Sequence, residues 1–560
     1  MSVAAAANHL YLLAAAPARA RFERAARDPT RAQWTILSRI LRENAQCEFG
    51  ARHGFGDMRS VAVFRERVPL CDYDTVAVDI DRITTGAARV LTTDTVRCLE
   101  PTGGSSGAAK LIPYTGRLMS DFSAATQAWI FDLLRSRPAL RQGRAYWAVT
   151  PPARRPTHSS GGVPIGLAHD SDYFPPIARA LLDRVLGLPR AIARAPDVAT
   201  CRYLTLRALL ALPDLALVSV WNPSFLTLLA EALDEHWHDL LADLADGALR
   251  VPVAEALRHE LARSFDAHPH RSSALRRRFG HRPPEDLGDL WSGLALISCW
   301  SDGHAGRALA GMRRRFPRVE VQGKGLLATE GVVSFPLFET AFPVAAVTSH
   351  FLEFIPHRDD GSDDDPVTVD RVATGATYEV VLTTSGGLYR YRLRDLVRVA
   401  GWYRATPLLT FVGRADGASD LAGEKLTPSF VERVLAAAAR ITEIHPPFAL
   451  LAPAWAGRSE PPRYDLYVEA EERDAARLAR AVEHLLTDSH HYALCRALGQ
   501  LDPVHGVAVS DGARVYERVR VSRGQRAGAV KPVALDAALD WARAFAVDAA
   551  VSAGDALVSS

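Results

Sequence analysis

The stretch Glu100-Pro101-Thr102-Gly103-Gly104-Ser105-Ser106-Gly107-Ala108-Ala109-Lys110, followed by Leu111-Ile112-Pro113, decides how the rest of the chain is read. Three glycines and three hydroxyl side chains lie between a β-rich segment and a helical pattern that begins near Arg117. Glycine admits positive φ and close backbone approach, so successive N–H groups can converge on phosphate oxygens. The hydroxyls add donors and Lys110 adds a point charge. The spacing excludes the P-loop, which needs Lys-Ser/Thr directly after its second glycine. It also excludes the G-x-G-x-x-G dinucleotide pattern. From these residues alone a polyphosphate-binding loop and a plain Gly/Ser turn both stay open.

Composition narrows the class. A chain of 560 residues exceeds one core and predicts at least two domains. Apolar content of 48% and charged content of 23% describe an ordinary soluble protein. A formal charge of +2 leaves no electrostatic footprint for nucleic acid. The arginine runs 276–278 and 313–315 and the acidic run 359–365 read as solvated faces and turns. Six scattered cysteines without a C-x-x-C pair predict buried thiols in a reducing cytoplasm. No apolar run reaches membrane-spanning length, and the alanine-rich start, lacking a basic n-region, reads as a helix. A cytoplasmic monomer with no membrane or nucleic-acid partner is expected.

Four lysines, Lys110, Lys324, Lys425 and Lys531, stand against 62 arginines. Under such a bias toward arginine, a retained lysine marks a place where a compact ammonium is required. All four lie in glycine-containing, motif-like contexts.

Periodicity organises the rest. Residues 17–44 form an amphipathic helical entry, and 117–137 a helix after the glycine-rich run. Strands are expected at 90–92, 146–150, 217–220, 294–300, 319–323, 345–354, 377–384, 388–397 and 409–412. The segment 152–171 reads as a loop, and 175–278 as largely helical. Gly413-Arg414-Ala415-Asp416-Gly417 is the best domain boundary, giving an N-terminal domain over 1–412, a hinge over 413–417 and a lid over 418–560. In the lid, helices are expected at 428–440 and 473–486 and strands at 464–469 and 515–521. The fold class expected is α/β: a large domain of sheets flanked by helices with a β-barrel-like part, plus a small mobile C-terminal α+β domain.

Thr102 to Lys110 fits the [ST]-[SG]-G-[ST]-[ST]-G-x-x-K loop of adenylate-forming enzymes position by position. The order of glycine-rich loop, Thr329-Glu330 turn, Tyr391-Arg392-x-x-Asp395 strand, Gly413-Arg414-x-Asp416 hinge and late lysine is similar to theirs. More narrowly, the chain resembles the auxin-responsive promoter family of acyl acid amido synthetases, plant hormone-conjugating enzymes with bacterial relatives. Gly387-Leu388-Tyr389-Arg390-Tyr391-Arg392, Phe351-Leu352-Glu353-Phe354-Ile355-Pro356 and the region from Phe49-Gly50 to Tyr73 carry the likeness, which spans nearly the whole chain.

The resemblance implies that ATP activates a carboxylic acid as its AMP ester, and that an amino acid or other amine then forms an amide. Thr102, Gly103, Gly104, Ser105, Ser106 and Gly107 would hold the phosphates, and Thr329 would contact the α-phosphate. Lys110 would offset pyrophosphate charge or anchor the loop. Glu330 would hold Mg²⁺, a hard cation suited to carboxylate and water, or is a surface turn carboxylate. Asp395 would accept from the ribose hydroxyls or pair with Arg392 or Arg394. Arg414 would touch ribose or phosphate, or pair with Asp416. Lys425 matches a family lysine that closes on the nucleotide, and Lys531 one brought over the α-phosphate by domain rotation. Trp221, Phe225 and Phe335 are candidates to line the acyl pocket, with a plain core as the alternative. Related enzymes often carry an aromatic residue where this chain has Leu326.

Two rival classes are an acyl-CoA ligase sharing the adenylation half-reaction and a non-catalytic nucleotide-binding protein. The Gly-Leu-Tyr-Arg-Tyr-Arg string and the absence of a carrier-type attachment segment favour amide synthesis over the first. The joint presence of loop, glutamate, aspartate and lysines weighs against the second.

Overall fold

The computed structural model describes residues 2–102, 110–148, 157–166, 176–262, 264–302, 305–357, 365–415, 417–455, 460–522, 533–537 and 541–546. Two compact units are present: the first spans residues 1–102 and 110–413, the second runs from Arg414 onward.

The first unit contains three sheets. Four parallel strands lie in the order Arg144–Trp147, Leu215–Ser219, Leu296–Cys299, Glu320–Gly323. The central two, Leu-Ala-Leu-Val-Ser and Leu-Ile-Ser-Cys, are almost unbroken apolar runs, as burial on both faces requires. Leu296 joins one hydrophobic core and Ile297 another. Helix Ser224–Asp246 follows the second strand, entered through Asn222, whose side-chain oxygen accepts the Ser224 N–H at 2.9 Å.

A seven-stranded sheet, ordered Val367–Thr368, Phe351–Pro356, Thr377–Thr383, Tyr391–Tyr403, Thr406–Arg414, Val344–Ala345, Ser334–Phe335, supplies the barrel-like part. The third sheet, ordered Lys110–Thr115, Val96–Thr102, Pro164–Ile165, Thr157–His158, carries the strands on either side of the glycine-rich run. Helix Gly116–Ser136 starts directly afterwards, capped by Thr115 Oγ1, which accepts the Leu118 N–H at 3.1 Å.

The second unit holds a three-stranded sheet, Ala449–Ala454, Arg463–Val468, His505–Ala508, backed by helices Pro428–Thr442 and Glu472–Leu486.

Three sequence expectations are corrected. The strand expected at 90–92 is irregular, and the β-structure begins at Val96. Part of the loop expected over 152–171 adds two short strands to the third sheet. The strand expected at 515–521 is the helix Gly512–Ser522. Val515, Tyr516 and Val519 recur at i, i+1 and i+4, helical spacing that packs them in one core beside Phe448 and Trp541. All six cysteines are buried and unbridged. Among the described residues no helix is long and apolar enough to cross a membrane.

Candidate active site

Three separate sequence segments are drawn together around the start of helix Gly116–Ser136. Tyr73 and the strand Lys110–Thr115 make the first junction: the Tyr73 hydroxyl accepts the Leu111 N–H at 2.8 Å, and Lys110 Nζ lies 5.4 Å from the Tyr73 ring centre. Cys71, two residues earlier, pairs with the motif strand at Tyr391. Its N–H donates to Arg390 O at 3.1 Å, and its carbonyl accepts from Arg392 N at 2.8 Å. The segment 71–73 therefore ties the residue that closes the glycine-rich run to the strand that leads into Asp395.

The second junction reaches the Thr329-Glu330 turn. Ala328 and Gly331 exchange backbone hydrogen bonds of 3.0 and 3.2 Å, so Thr329 and Glu330 form a tight hairpin tip. The Tyr114 hydroxyl donates to Thr329 O at 2.6 Å, fixing that tip to the same strand that carries Lys110. Behind it lies His350, fully buried and packed on Gly331, where an added Cβ would lie 2.9 Å from the imidazole. Burial and the neighbouring Arg39 charge push the His350 pKa down to about 3, so the imidazole is neutral at ordinary pH. Glu330 itself is 7% exposed.

Asp395 sits at an irregularity of the strand Tyr391–Tyr403. Glu379 pairs with Leu396 but Val381 pairs with Arg392, so Leu393, Arg394 and Asp395 bulge opposite Val380. Arg394 takes φ 65° there. A bulge re-aims side chains relative to the regular alternation, and such features gather at functional edges. Arg392 pairs with Glu379 at 2.6 Å and Arg394 with Asp72 at 3.7 Å, so Glu379 and Asp72 absorb charge from the arginines beside Asp395.

The Gly-Leu-Tyr-Arg-Tyr-Arg string has a structural task as well. Gly387 (φ 104°) passes so close to Leu91 that a Cβ would stand 2.6 Å from that side chain. Tyr389 stacks on Phe49 at 4.8 Å and donates to Leu91 O at 2.6 Å. Arg390 bonds the Arg65 and Val68 carbonyls and pairs with Glu353, which also holds Arg65 at 2.7 Å. The segments 49–73, 351–356 and 387–392 thus form one buried network.

In the second unit, Lys425 adopts φ 48° in a tight loop. The neighbouring Glu424 carboxylate accepts the Leu421 and Ala422 N–H groups, both at 2.8 Å, and the Tyr464 hydroxyl. Burial, assisted by Asp420, pushes the Glu424 pKa up to about 7.

The remaining sequence candidates are placed as follows. Gly103, Gly104, Ser105, Ser106, Gly107 and Lys531 lie outside the described residues, and Thr102 ends the strand Val96–Thr102. Arg414 ends the strand Thr406–Arg414. Phe335 is a core residue in edge contact with Phe22, 4.8 Å between centres. Phe225 belongs to a different core, so these two aromatics are not brought together. Leu326 is buried and its N–H bonds Ser334 Oγ at 3.0 Å. Trp221 is half exposed beside Lys324. Tyr73, Tyr114 and Glu379 were missed from sequence. Tyr73 and Tyr114 flank the recognised segments, but only the fold reveals their hydroxyl bonds.

The whole chain was compared with known proteins. The GH3 family N-terminal domain matches residues 18–321, its central domain 344–414 and its C-terminal domain 430–535. The chain belongs to the GH3 family. A probable indole-3-acetic acid-amido synthetase, GH3.12 of Oryza sativa subsp. japonica, is 28% identical over 439 residues, covering 70% of each chain. The jasmonoyl–L-amino acid synthetase GH3.5 of the same plant is 25% identical over 426 residues, 70% of this chain and 72% of that protein. Among solved structures, the GH3.15 acyl acid amido synthetase in complex with 2,4-DB superposes with a TM-score of 0.65 at 18% identity, covering 95% of both chains. The GH3 fold therefore extends over nearly the whole molecule, and by family this chain is a ligase of the amido synthetase type.

Proposed function

We propose that this GH3 protein joins a small carboxylic acid to an amino acid or other amine at the expense of ATP, through an acyl-adenylate. A carboxylate oxygen attacks the α-phosphorus and the bond to pyrophosphate breaks. The neutral amine nitrogen then attacks the acyl carbon, the bond to AMP breaks, and the ammonium proton passes to solvent. The first step is positioning and charge neutralisation at phosphorus.

The observation that carries this reading is the Tyr114 bond to Thr329, together with the pairing of Cys71 with the Tyr391 strand. Through them the strand after the glycine-rich run, the Thr-Glu tip and the strand leading to Asp395 share one scaffold. On this reading Thr102, Ser105, Ser106 and the backbone of 103–107 hold phosphate oxygens, and Lys110 faces the same anion. Thr329 contacts the α-phosphate, and Asp395 accepts from the ribose hydroxyls. Arg414 touches ribose or phosphate, and Lys425 and Lys531 act on the nucleotide during the two half-reactions.

Magnesium suits the donor set. Glu330 is a single carboxylate at a hairpin tip, and Mg²⁺ is held by one or two carboxylates with substrate phosphates and water. Among the described residues no group of three or more His, Cys, Asp and Glu could hold a metal, so a dedicated all-protein cage is not offered there. When bound, the ion would neutralise phosphate charge.

The test is ATP–pyrophosphate exchange over a panel of carboxylic acids with and without MgCl₂, followed by addition of amino acids or CoA. Acid-dependent exchange that needs Mg²⁺, with amide formed from the amino acid, is the expected result. Thioester with CoA and no amide would instead support an acyl-CoA ligase.

A further inference from the structure

The backbone does not require glycine at position 331. Its φ lies outside the left-handed region, so an alanine would meet no conformational strain there. Space is what excludes a side chain: an added Cβ would stand 2.9 Å from His350 Cδ2 and 3.1 Å from Nε2. Leu382 Cδ1, also at 3.1 Å, ends a flexible side chain and can yield. The imidazole cannot, because the backbone that carries it is pinned on both sides. The His350 carbonyl accepts Gln33 Nε2 at 2.8 Å, and Gln33 Oε1 accepts the Leu352 N–H at 2.7 Å. Ser349 Oγ donates to Asp121 O at 2.6 Å, and Phe122 packs against the imidazole edge to face, 5.4 Å between centres.

Neither ring nitrogen of His350 has a hydrogen-bond partner among the described residues. Buried polar groups are ordinarily paired, so hydrogen bonding is not what this residue contributes. What it supplies is shape. Imidazole is the smallest flat ring among the side chains, and a six-membered ring would overfill a space already closed by Gly331 and Phe122.

The contact falls on the Thr-Glu tip. Gly331 directly follows Glu330 and exchanges both of the tip's backbone bonds with Ala328. Tyr114 holds the other side through Thr329 O, and Phe122 backs both supports, 5.8 Å from the Tyr114 ring centre and 5.4 Å from the imidazole. We propose that Gly331 and His350 are a size-matched pair that aims the Glu330 carboxylate, with His350 the positioning residue. The assignment rests on the amido synthetase reading, in which Glu330 holds Mg²⁺. A tip displaced by a mismatch at this pair changes the metal requirement and not the binding of the acid.

The test is ATP–pyrophosphate exchange titrated with MgCl₂ at 20 °C, on the full chain and on Gly331→Ala, His350→Val and the double variant, with His350→Ala as a second background. Gly331→Ala overpacks the site and raises the half-saturating MgCl₂ by about tenfold, while the KM for the acid stays at its wild-type value. His350→Val leaves the tip without its wall and raises the MgCl₂ requirement as well. In the double variant the new methyl fills the vacated space, and the requirement returns to within about threefold of wild type. Loss of folded protein alone would lower kcat and move neither constant. A wild-type MgCl₂ requirement in Gly331→Ala overturns the proposal, as do double variants no better than Gly331→Ala in both backgrounds. If Gly331→Ala does not fold, the second substitution must restore folding, and a double variant equally unfolded overturns it too. Deuterium uptake of the peptide spanning residues 326–334, read by mass spectrometry without ATP, separates this pair from the reaction. Uptake raised in each single variant and restored in the double, with no acid-dependent exchange in the wild type, contradicts the synthetase reading and leaves the pair. Exchange in the wild type, with uptake and MgCl₂ requirement unmoved across the variants, contradicts the pair and leaves the synthetase.

Discussion

Single side chains in this protein are held by bonds whose loss has foreseeable size. The Tyr114 hydroxyl contributes one hydrogen bond to the Thr329 carbonyl, worth about 1 kcal/mol net. Tyr114→Phe should therefore lower the exchange rate by roughly tenfold or less while leaving the fold intact, since only the tip's tether is removed. Glu330→Gln should abolish Mg²⁺-dependent exchange; full activity in that variant would remove Glu330 from the metal role. Arg390 presents a different case. It pairs with Glu353, buried at 1% exposure, and bonds two carbonyls. Removing one partner of a buried pair strands the other's charge, at a cost of about 3–5 kcal/mol. Arg65 still holds Glu353 at 2.7 Å, which places Arg390→Met toward the lower end, about 3 kcal/mol by urea unfolding.

At the scale of elements, what could be read from sequence follows from periodicity and order. The helices 117–137, 428–440 and 473–486 and the strands 217–220, 294–300 and 377–384 correspond closely to the observed elements, because burial of a regular stripe or run dictated both. Residues 515–521 misled because Val-Tyr-x-x-Val-x-Val favours strand by residue type, yet Val515, Tyr516 and Val519 meet the core with helical spacing. The Lys425 loop could be located from Gly-Glu-Lys, but not its support. Glu424, the residue before Lys425, is fully buried against Tyr464 in the fold. Its pKa rises from 4.5 to about 7 through burial and the nearby Asp420. An unfolded chain thus gives up this proton near pH 4.5, whereas the folded one keeps it to about pH 7. Stability contributed by this group falls as pH rises between those values and is level beyond them. Thermal melts of Glu424→Gln against wild type from pH 4 to 8 should show the mutant lacking that component.

Across the whole molecule, the residues proposed to act on the nucleotide fall in two compact units, Thr329, Glu330 and Asp395 in the first and Lys425 in the second. The relation between distant segments was legible only as an order of motifs along the chain; the bonds that join 71–73, 110–114, 329–331 and 391–395 needed coordinates. The gathering of Trp129, Trp147 and Trp221 around the Lys324 ammonium was illegible for the same reason, since these tryptophans are up to 92 residues apart in sequence. If the second unit's lysines serve different half-reactions, Lys425→Ala and Lys531→Ala should split acid-dependent exchange from amide formation starting with preformed acyl-AMP. Wild-type rates of both steps in either variant would exclude that lysine. The most direct measurement is product accounting by mass spectrometry after incubation with ATP, MgCl₂, carboxylic acids and amino acids. One AMP and one pyrophosphate for each amide formed is the expected balance. ADP with phosphate accompanying the amide, or acid-independent ATP cleavage with none, would contradict activation of the acid as an AMP ester.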